Sequence, residues 1–216
     1  MIEAAGRLQI APPDPTEFEE TAGVLARAFR DNPLNRAVIR SGDPSVRLRS
    51  NLHGMRSLLP AAAANGQILV ARDAGRVVGA LIAVPPGAYP LPPPPTLQRI
   101  RCLLGQGFRV SARWGQAFVE LDAQHPPEPS WYLGTLGVEP ACQGRGVGTE
   151  LLHAWIRRVD EERGAAYLET DVQANVGFYA RSGFSLAGET EVLGAPVWRM
   201  WRRPAELEVL VESRPQ

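Results

Sequence analysis

Lysine is absent from this chain of 216 residues, and all 23 basic side chains are arginine. This absence excludes two kinds of chemistry. A phosphate-binding P-loop needs a lysine that reaches the phosphates of a nucleotide. Schiff-base catalysis needs a lysine amine as nucleophile. A functional site in this chain must therefore use residues other than lysine.

Cysteine is scarce, with Cys102 and Cys142 as the two examples. They lie far apart in the sequence, form no CxxC pair and have no histidine at a metal-binding spacing. We therefore expect neither a disulfide framework nor a bound metal. Such cysteine usage fits a reducing compartment.

Long apolar runs and an excess of charge are also missing. No run approaches the length of a membrane span, and the opening residues MIEAAGRLQIAPPDP lack the apolar core of a secretory signal. The 23 basic and 23 acidic side chains give a formal net charge of zero. We expect a cytoplasmic protein that binds neither membrane nor nucleic acid.

The first 124 residues contain apolar residues mostly at helical spacing. The predicted elements are a strand at 7–11, a helix from Phe18 that stops at Asp31-Asn32-Pro33, a helix at 45–64, a β-hairpin at 67–84 that turns at Asp73-Ala74-Gly75, and helix over 97–124. The first helix should stop there because the residue before a proline disfavours helical geometry. The stretch 97–113 has four arginines and no acid, which is typical of a solvated helix face, with a binding patch as the alternative.

The segment PPGAYPLPPPP, residues 85–95, breaks every regular pattern. It fits either a linker between domains or a stiff loop that crosses one domain. We favour the loop because neither half of the chain has a complete set of elements by itself. The prediction is a single domain over 1–204, made of the halves 1–124 and 125–204, followed by a C-terminal tail at 205–216.

Strand and helix alternate from residue 126 onward. The predicted order is a strand in WYLGTLGV, a glycine-rich loop, a helix that ends at Gly164, the strand AAYLET, a short helix around 175–182, and strands near 184–192 and 196–203. This alternation predicts a mixed α/β fold.

Glycine is concentrated where the strand ending at Val138 turns into the next helix: Gly144, Gly146 and Gly148 alternate there. The first amides of a helix have no partner within the helix and lie at the positive end of its dipole, so a phosphate or pyrophosphate is the expected ligand. Arg145 could contact the same anion. A glycine-rich turn without a ligand is the alternative.

A dinucleotide fingerprint does not fit this loop, because Thr149 stands where its third glycine belongs. The run from Val138 to Gly148 instead resembles the Q/R-x-x-G-x-G/A motif of the Gcn5-related N-acetyltransferases (GNAT). The run NVGFYARSGF, which holds Asn175 and Tyr179, resembles the second motif of that family, and VWRMWRRP is similar to its last strand. The stretch beginning HPPEPSWYLGTLGV resembles the subgroup that contains puromycin N-acetyltransferase.

The resemblance implies a GNAT fold, a twisted, mixed and mostly antiparallel sheet of about six or seven strands flanked by helices. It also implies acetyl-CoA as co-substrate, held by the half 125–204, while the half 1–124 shapes the acceptor site. Within that half we expect the loop Asp31-Asn32-Pro33, the helix at 45–64 and the segment 85–95 to shape it. The pyrophosphate would lie on the amides of 143–149, and the pantetheine arm along the strand before them. The expected cofactor-binding residues are Leu136, Gly137, Val138, Gln143, Gly144, Arg145, Gly146, Val147, Gly148, Thr149, Asn175 and Phe178.

Tyr179 matches the tyrosine of the second motif, and the resemblance implies that it protonates the leaving thiolate. The attacking amine must lose a proton, and the strand WYLGTLGV contains no carboxylate, which leaves Glu169 and His125 as candidate bases. Each of these side chains could instead be structural. Cys142 has no evident histidine base, so we expect an inert thiol there.

The predicted function is acetyl transfer from acetyl-CoA to a primary amine of a small molecule, by a monomer or a homodimer. Two alternatives stay open. One is a non-catalytic acyl-CoA-binding module that keeps the glycine-rich loop but lacks a competent base. The other is a nucleotide-binding oxidoreductase domain, which NAD(P) would stabilise and acetyl-CoA would not.

Overall fold

The computed structural model describes residues 8–205, which fold into seven strands and seven α-helices. The strands are β1 (Gln9–Ala11), β2 (Gln67–Asp73), β3 (Arg76–Val84), β4 (Trp131–Val138), β5 (Ala166–Thr170), β6 (Ser185–Val192) and β7 (Ala195–Arg202). The helices are α1 (Phe18–Ala28), α2 (Pro33–Ile39), α3 (Pro44–Asn65), α4 (Thr96–Gln106), α5 (Phe108–Asp122), α6 (Val147–Glu161) and α7 (Gln173–Ala180). The tail predicted at 205–216 lies, except for its first residue, outside the described residues.

All seven strands belong to one sheet, in the order β1-β2-β3-β4-β5-β7-β6. Every neighbouring pair is antiparallel except β4 and β5, which run parallel. Parallel neighbours need a crossover connection, which α6 provides. The predicted mixed and mostly antiparallel sheet is confirmed.

Helices cover both faces of the sheet. The face under α6 buries Leu81, Leu151 and Trp155, and the face under α1 and α3 buries Leu25 and Ile82. The neighbours Leu81 and Ile82 point to opposite faces because side chains alternate along a strand. Each fully buried side chain of this size stabilises the fold by about 1.5–3 kcal/mol. The α6-side core also contains Leu133 of β4 and Leu168 of β5, so it packs these two strands against α6.

The hairpin between β2 and β3 turns at Ala74 and Gly75, as predicted. Their φ angles are 49° and 77°, so both residues are left-handed. A two-residue turn of this hand matches the natural twist of the strands it joins.

The structure corrects the predicted helices in three regions. Pro33 does not begin a loop but is the first residue of α2, a position that suits proline because its amide would have no partner there. The stretch 97–124 is two helices, because Gly107 has a φ of 83° and separates α4 from α5. The short helix predicted at 175–182 runs instead from Gln173 to Ala180.

The proline-rich segment 85–95 connects β3 to α4. The strands on its two sides, β3 and β4, pair with each other from Gly79 to Val84. Tyr89 of the segment stacks on His125, with ring centroids 3.9 Å apart. The segment is therefore a loop packed against residues that precede β4.

The helices α4 and α5 carry apolar side chains on the surface. The exposed ones are Leu97, Ile100, Leu103, Leu104, Phe108, Phe118 and Val119. The opposite side of α5, with Ala117, Trp114 and Leu121, packs in a small cluster with Val38 and Val197. No helix within residues 8–205 combines the length and the hydropathy that crossing a membrane requires.

Candidate active site

The parallel pairing of β4 and β5 covers only residues 131–133 and 166–168, and the two strands then separate. A bulge accompanies the separation: the register on β3 shifts between Ile82 and Ala83, which leaves Gly134 of β4 without a partner. From Gly134 to Val138, the edge of β4 that faces β5 pairs with no strand in the described fold. The split creates an opening inside the sheet.

The bulge also changes the direction of the β4 side chains. Leu133 packs in the α6-side core before the bulge, and Leu136 and Val138 pack there after it. Gly137 consequently faces α1, where an added Cβ would lie 2.8 Å from Leu25 Cδ2. A larger residue at position 137 would therefore force side chains of α1 to shift.

A cavity of about 50 Å³ lies at the split between the strands. Its lining consists of Phe29, Asn32, Leu133, Gly134, Thr135, Leu136, Glu169, Thr170, Asp171, Asn175 and Tyr179. The predicted acid Tyr179 and the candidate base Glu169 thus line one cavity, together with Leu136 and Asn175. Positions more than 30 residues apart in sequence meet here because β4, β5 and α7 converge at this point.

The glycine-rich loop lies at the end of β4 and exposes its backbone. Gly144 and Gly146 have φ angles of 74° and 84°, and Gly146 is the N-cap of α6 without any side-chain cap. The amides of residues 144–149 donate no hydrogen bond to any residue among 8–205. A pyrophosphate fits such a set of unpaired donors at the positive end of a helix.

Two side chains predicted to contact the cofactor have protein partners. The Gln143 side-chain amide donates to the carbonyl oxygen of Val138, 3.1 Å away, and so closes the loop onto the end of β4. Arg145 lies 3.6 Å from the carboxylate of Asp73 in the β2–β3 hairpin. Arg145 remains largely exposed, so an anion in the loop would compete with Asp73 for it.

The other predicted cofactor residues surround the start of α6. Val147 is buried in the α6-side core, and Phe178 packs against that core. An added Cβ at Gly148 would meet Val138 and Phe178 at ordinary contact distances of 3.5 and 3.7 Å. The loop residues, the end of β4 and α7 therefore form one continuous surface next to the cavity.

Asn175 projects from α7 toward the end of β5. Its side-chain amide lies 3.4 Å from the Thr170 hydroxyl oxygen, to which it donates a long hydrogen bond. This contact ties α7 to β5 at the cavity wall.

Tyr179 is buried next to Phe178 and Phe184, whose ring centroids lie 5.0 and 6.0 Å from its own. Burial raises the pKa of the Tyr179 hydroxyl, and the negative charge of Asp171 raises this pKa further. The hydroxyl therefore keeps its proton at neutral pH. A protonated hydroxyl on the cavity wall can act as a general acid.

Glu169 is partly buried, and this burial raises its pKa to about 7. The hydroxyls of Tyr132 and Tyr167 and the charge of Arg199 act in the opposite direction and lower this pKa. The Glu169 Oε1 atom has no hydrogen-bond partner among residues 8–205. A carboxylate with a pKa near neutrality and a free oxygen is suited to accept a proton.

His125, the other candidate base, is not part of the cavity lining. It stacks on Tyr89 and lies edge-on to Tyr167, with ring centroids 5.0 Å apart. Burial lowers the pKa of His125. Of the two candidates, Glu169 shares a cavity with Tyr179.

A family model for the acetyltransferase (GNAT) family matches residues 47–184 of the chain. The chain belongs to the GNAT family. It is therefore an enzyme, an N-acetyltransferase, and the family resemblance seen in the motifs is confirmed. Membership of the subgroup that contains puromycin N-acetyltransferase is not established by this match.

Solved structures of GNAT enzymes share this fold. A protein from Corynebacterium glutamicum, described as a histone acetyltransferase and related acetyltransferase, is 27% identical, with a TM-score of 0.70 over 94% of this chain and 99% of that one. Polyamine N-acetyltransferase from Drosophila melanogaster is 15% identical, with a TM-score of 0.64 over 91% and 100%. PaiA N-acetyltransferase from Thermoplasma acidophilum, solved in complex with coenzyme A, is 14% identical, with a TM-score of 0.56 over 91% and 99%. The last two show the fold alone.

The sequence analysis of this GNAT chain missed several residues of the cavity. Phe29 and Asp171 line it, and Tyr132 and Tyr167 lie beside Glu169. Asn32, from the loop expected to shape the acceptor site, also lines the cavity. The pattern Glu-Thr-Asp at the end of the strand AAYLET places two acids on one side of an extended chain, a signal that could have pointed to Asp171. Nothing in the local sequence indicates Phe29.

Proposed function

We propose that this GNAT enzyme transfers the acetyl group of acetyl-CoA to the primary amine of a small molecule. The observation that carries the proposal is that Glu169 and Tyr179 line one cavity at the split between β4 and β5. The unpaired amides of residues 144–149 start at the end of the same strand. One site therefore combines an anion cradle, a base and an acid.

Acetyl-CoA supplies an activated acetyl group as a thioester when it is bound. The amides of residues 144–149 would hold its pyrophosphate, and the open edge of β4 offers backbone groups to an added extended chain. Leu136, Val138, Asn175 and Phe178 border that route.

Glu169 takes a proton from the ammonium group of the acceptor, which frees the nitrogen lone pair. The nitrogen then bonds to the acetyl carbon, the bond between that carbon and sulfur breaks, and the nitrogen loses its second proton to solvent. Tyr179 donates its proton to the sulfur, because a thiol with a pKa of about 8.5 leaves more easily when it is protonated. The products are an acetylated amine and a free thiol, and solvent returns the two catalytic groups to their starting states.

The acceptor amine would reach Glu169 among aromatic rings. Tyr132 and Tyr167 stack with ring centroids 6.1 Å apart, and Tyr89 lies edge-on to Tyr132 at 4.8 Å. The faces of such rings stabilise a cation. Tyr89, Phe29 and Asn32 all come from the half 1–124, which supports the proposal that this half shapes the acceptor site.

The finer assignments remain proposals. The resemblance of residues 125–138 to the puromycin N-acetyltransferase subgroup supports a small-molecule acceptor. We also propose that residues 1–204 form a single domain. We expect the protein to be cytoplasmic and to act as a monomer or a homodimer.

The deciding experiment incubates the full chain with acetyl-CoA and a panel of small primary amines, and measures thiol release and acetylated product. We expect release that depends on the amine. Binding of acetyl-CoA without release for every amine would contradict the proposal.

Tyr179→Phe is the variant that tests the chemistry in the same assay. It removes the hydroxyl but keeps the buried ring, so kcat should fall by about a hundredfold or more. The Kd for coenzyme A, measured by calorimetry, should stay within about twofold, because the loop 143–149 is unchanged. An unchanged kcat would remove the proposed role of Tyr179.

A further inference from the structure

Asp171 directly follows β5 and connects distant parts of the chain. Its Oδ2 atom accepts a hydrogen bond from the backbone amide of Leu34, 2.8 Å away. Its Oδ1 atom accepts a bond of 3.3 Å from the side-chain amide of Asn32. Asp171 thus binds the corner between α1 and α2, which we define as residues 29–34. Its partners Asn32 and Leu34 lie 139 and 137 residues away from it in sequence.

The corner depends on Asp171 because α2 lacks a cap of its own. Asn32 is the N-cap residue of α2, yet its side chain makes no capping hydrogen bond. The carboxylate of Asp171 satisfies the free amide of Leu34 instead, and a negative charge is favourable at the start of a helix. Burial raises the pKa of Asp171, while the bonds from Leu34 and Asn32 lower it.

The same corner forms one wall of the cavity. Phe29, Asn32 and Asp171 line the cavity next to Glu169 and Tyr179. Any shift of the corner would therefore move the wall that faces the two proton-transfer groups. A displacement of about 1 Å in such a wall can lower turnover by about a hundredfold.

We propose that Asp171 is a positioning residue, which holds the α1–α2 corner in the place where it aims the acceptor amine at the acetyl group. This inference rests on the proposed function and adds a residue that the family motifs do not include. Asp171 acts through the corner and does not itself exchange a proton with the substrates.

The test compares Asp171→Ala and Asp171→Asn with Asp43→Ala. Asp43 is a matched control, since its side chain caps α3 by accepting from the amide of Ser45 at 2.7 Å and it does not line the cavity. Steady-state kinetics would give the KM for the acceptor and for acetyl-CoA separately. Hydrogen exchange would report the protection of the Leu34 and Ser45 amides.

For Asp171→Ala we expect the acceptor KM to rise about tenfold or more, while the acetyl-CoA KM stays within about twofold. Asp171→Asn keeps an oxygen that can accept from the Leu34 amide, and Asn32 can rotate its side-chain amide so that its oxygen accepts from the new NH2 group. The acceptor KM of this variant should therefore be close to the wild-type value. Asp43→Ala should lower the thermal midpoint and leave both KM values unchanged.

The Leu34 amide should exchange its hydrogen faster in Asp171→Ala than in the wild type. The Ser45 amide should likewise exchange faster in Asp43→Ala than in the wild type. Equal rises of both KM values in Asp171→Ala, or an unchanged exchange rate at Leu34, would overturn the positioning role. If the wild type releases no thiol with any amine, the proposed function fails, whereas the exchange result still decides whether Asp171 holds the corner.

Discussion

Glu169 is placed so that its charge state changes near neutral pH. Its side chain lies beside the hydroxyls of Tyr132 and Tyr167, its Oε1 atom has no partner within the described part of the chain, and burial raises its pKa to about 7. A base whose pKa lies near the working pH combines a useful ionised fraction with a strong tendency to take a proton. This balance is a property of the surroundings, because glutamate in water has a pKa of about 4.3.

The pH dependence of kcat/KM tests this residue. If Glu169 is the base, activity should fall about tenfold per pH unit below pH about 7 and level off above it. Glu169→Gln should lower kcat/KM by about a hundredfold or more and abolish that acidic limb. A wild-type profile that stays flat between pH 5 and 7 would exclude Glu169 as the base.

The raised pKa of Glu169 also makes the stability of the wild type depend on pH, and Glu169→Gln removes this dependence. The folded state holds the Glu169 proton more tightly than the unfolded state, so the free energy of unfolding falls as the pH rises from the unfolded pKa to the folded value of about 7. Between pH 5 and 8 the wild type should lose about 2–3 kcal/mol relative to Glu169→Gln. Urea denaturation at both pH values measures this difference, and equal changes in the two proteins would contradict it.

The connection from β4 to α6 depends on two different uses of glycine. Gly146 has a φ of 84° and caps the helix, so it needs a left-handed backbone. Gly148 lies inside the first turn of α6, and an added Cβ would have only ordinary contacts. The two glycines therefore provide a matched pair for mutation.

Gly146→Ala should destabilise the protein by about 1–2 kcal/mol, because a side chain opposes the left-handed conformation. Gly148→Ala should be neutral or stabilising by up to about 1 kcal/mol, since alanine favours a helix. Chemical denaturation measures both changes. Equal losses of stability in the two variants would contradict this explanation, because only Gly146 has a left-handed backbone.

Helix boundaries show where local patterns succeed and fail. The predicted run at 45–64 corresponds to α3, because many apolar positions define its period. The missed helix α2 has seven residues, too few for a period to appear, and the Leu34 amide in its first turn is capped by Asp171, which follows a strand distant in sequence. The division of 97–124 depends on the φ of Gly107, and a glycine within a helical pattern does not reveal its own conformation.

The whole molecule brings the two predicted halves into one sheet. The β2–β3 hairpin reaches Arg145 in the glycine-rich loop through Asp73, and α1 holds Glu139 through Arg27, whose guanidinium lies 2.7 Å from the carboxylate. Both contacts cross from the half 1–124 to the half 125–204. A ligand in the loop should therefore stabilise the chain as a unit.

Coenzyme A at about a hundredfold excess over its Kd should raise the free energy of unfolding by about 2.7 kcal/mol. The rise should appear as one cooperative transition in differential scanning calorimetry, because elements of both halves pair in the same sheet. NAD(P) serves as the control ligand and should have no effect. Stabilisation by NAD(P) in place of coenzyme A would refute the assignment of the loop.

The amino-acid sequence by itself determined the strand, glycine-rich loop and helix of residues 131–161, the motif that contains Tyr179 and the family. These features are local, because neighbouring residues set backbone hand, helix period and unpaired amides. Only the tertiary structure decided that Glu169 and not His125 shares a cavity with Tyr179. It also decided that Asp171 holds Asn32. Such choices depend on contacts between residues far apart in sequence, which packing of the complete sheet and its helices brings together.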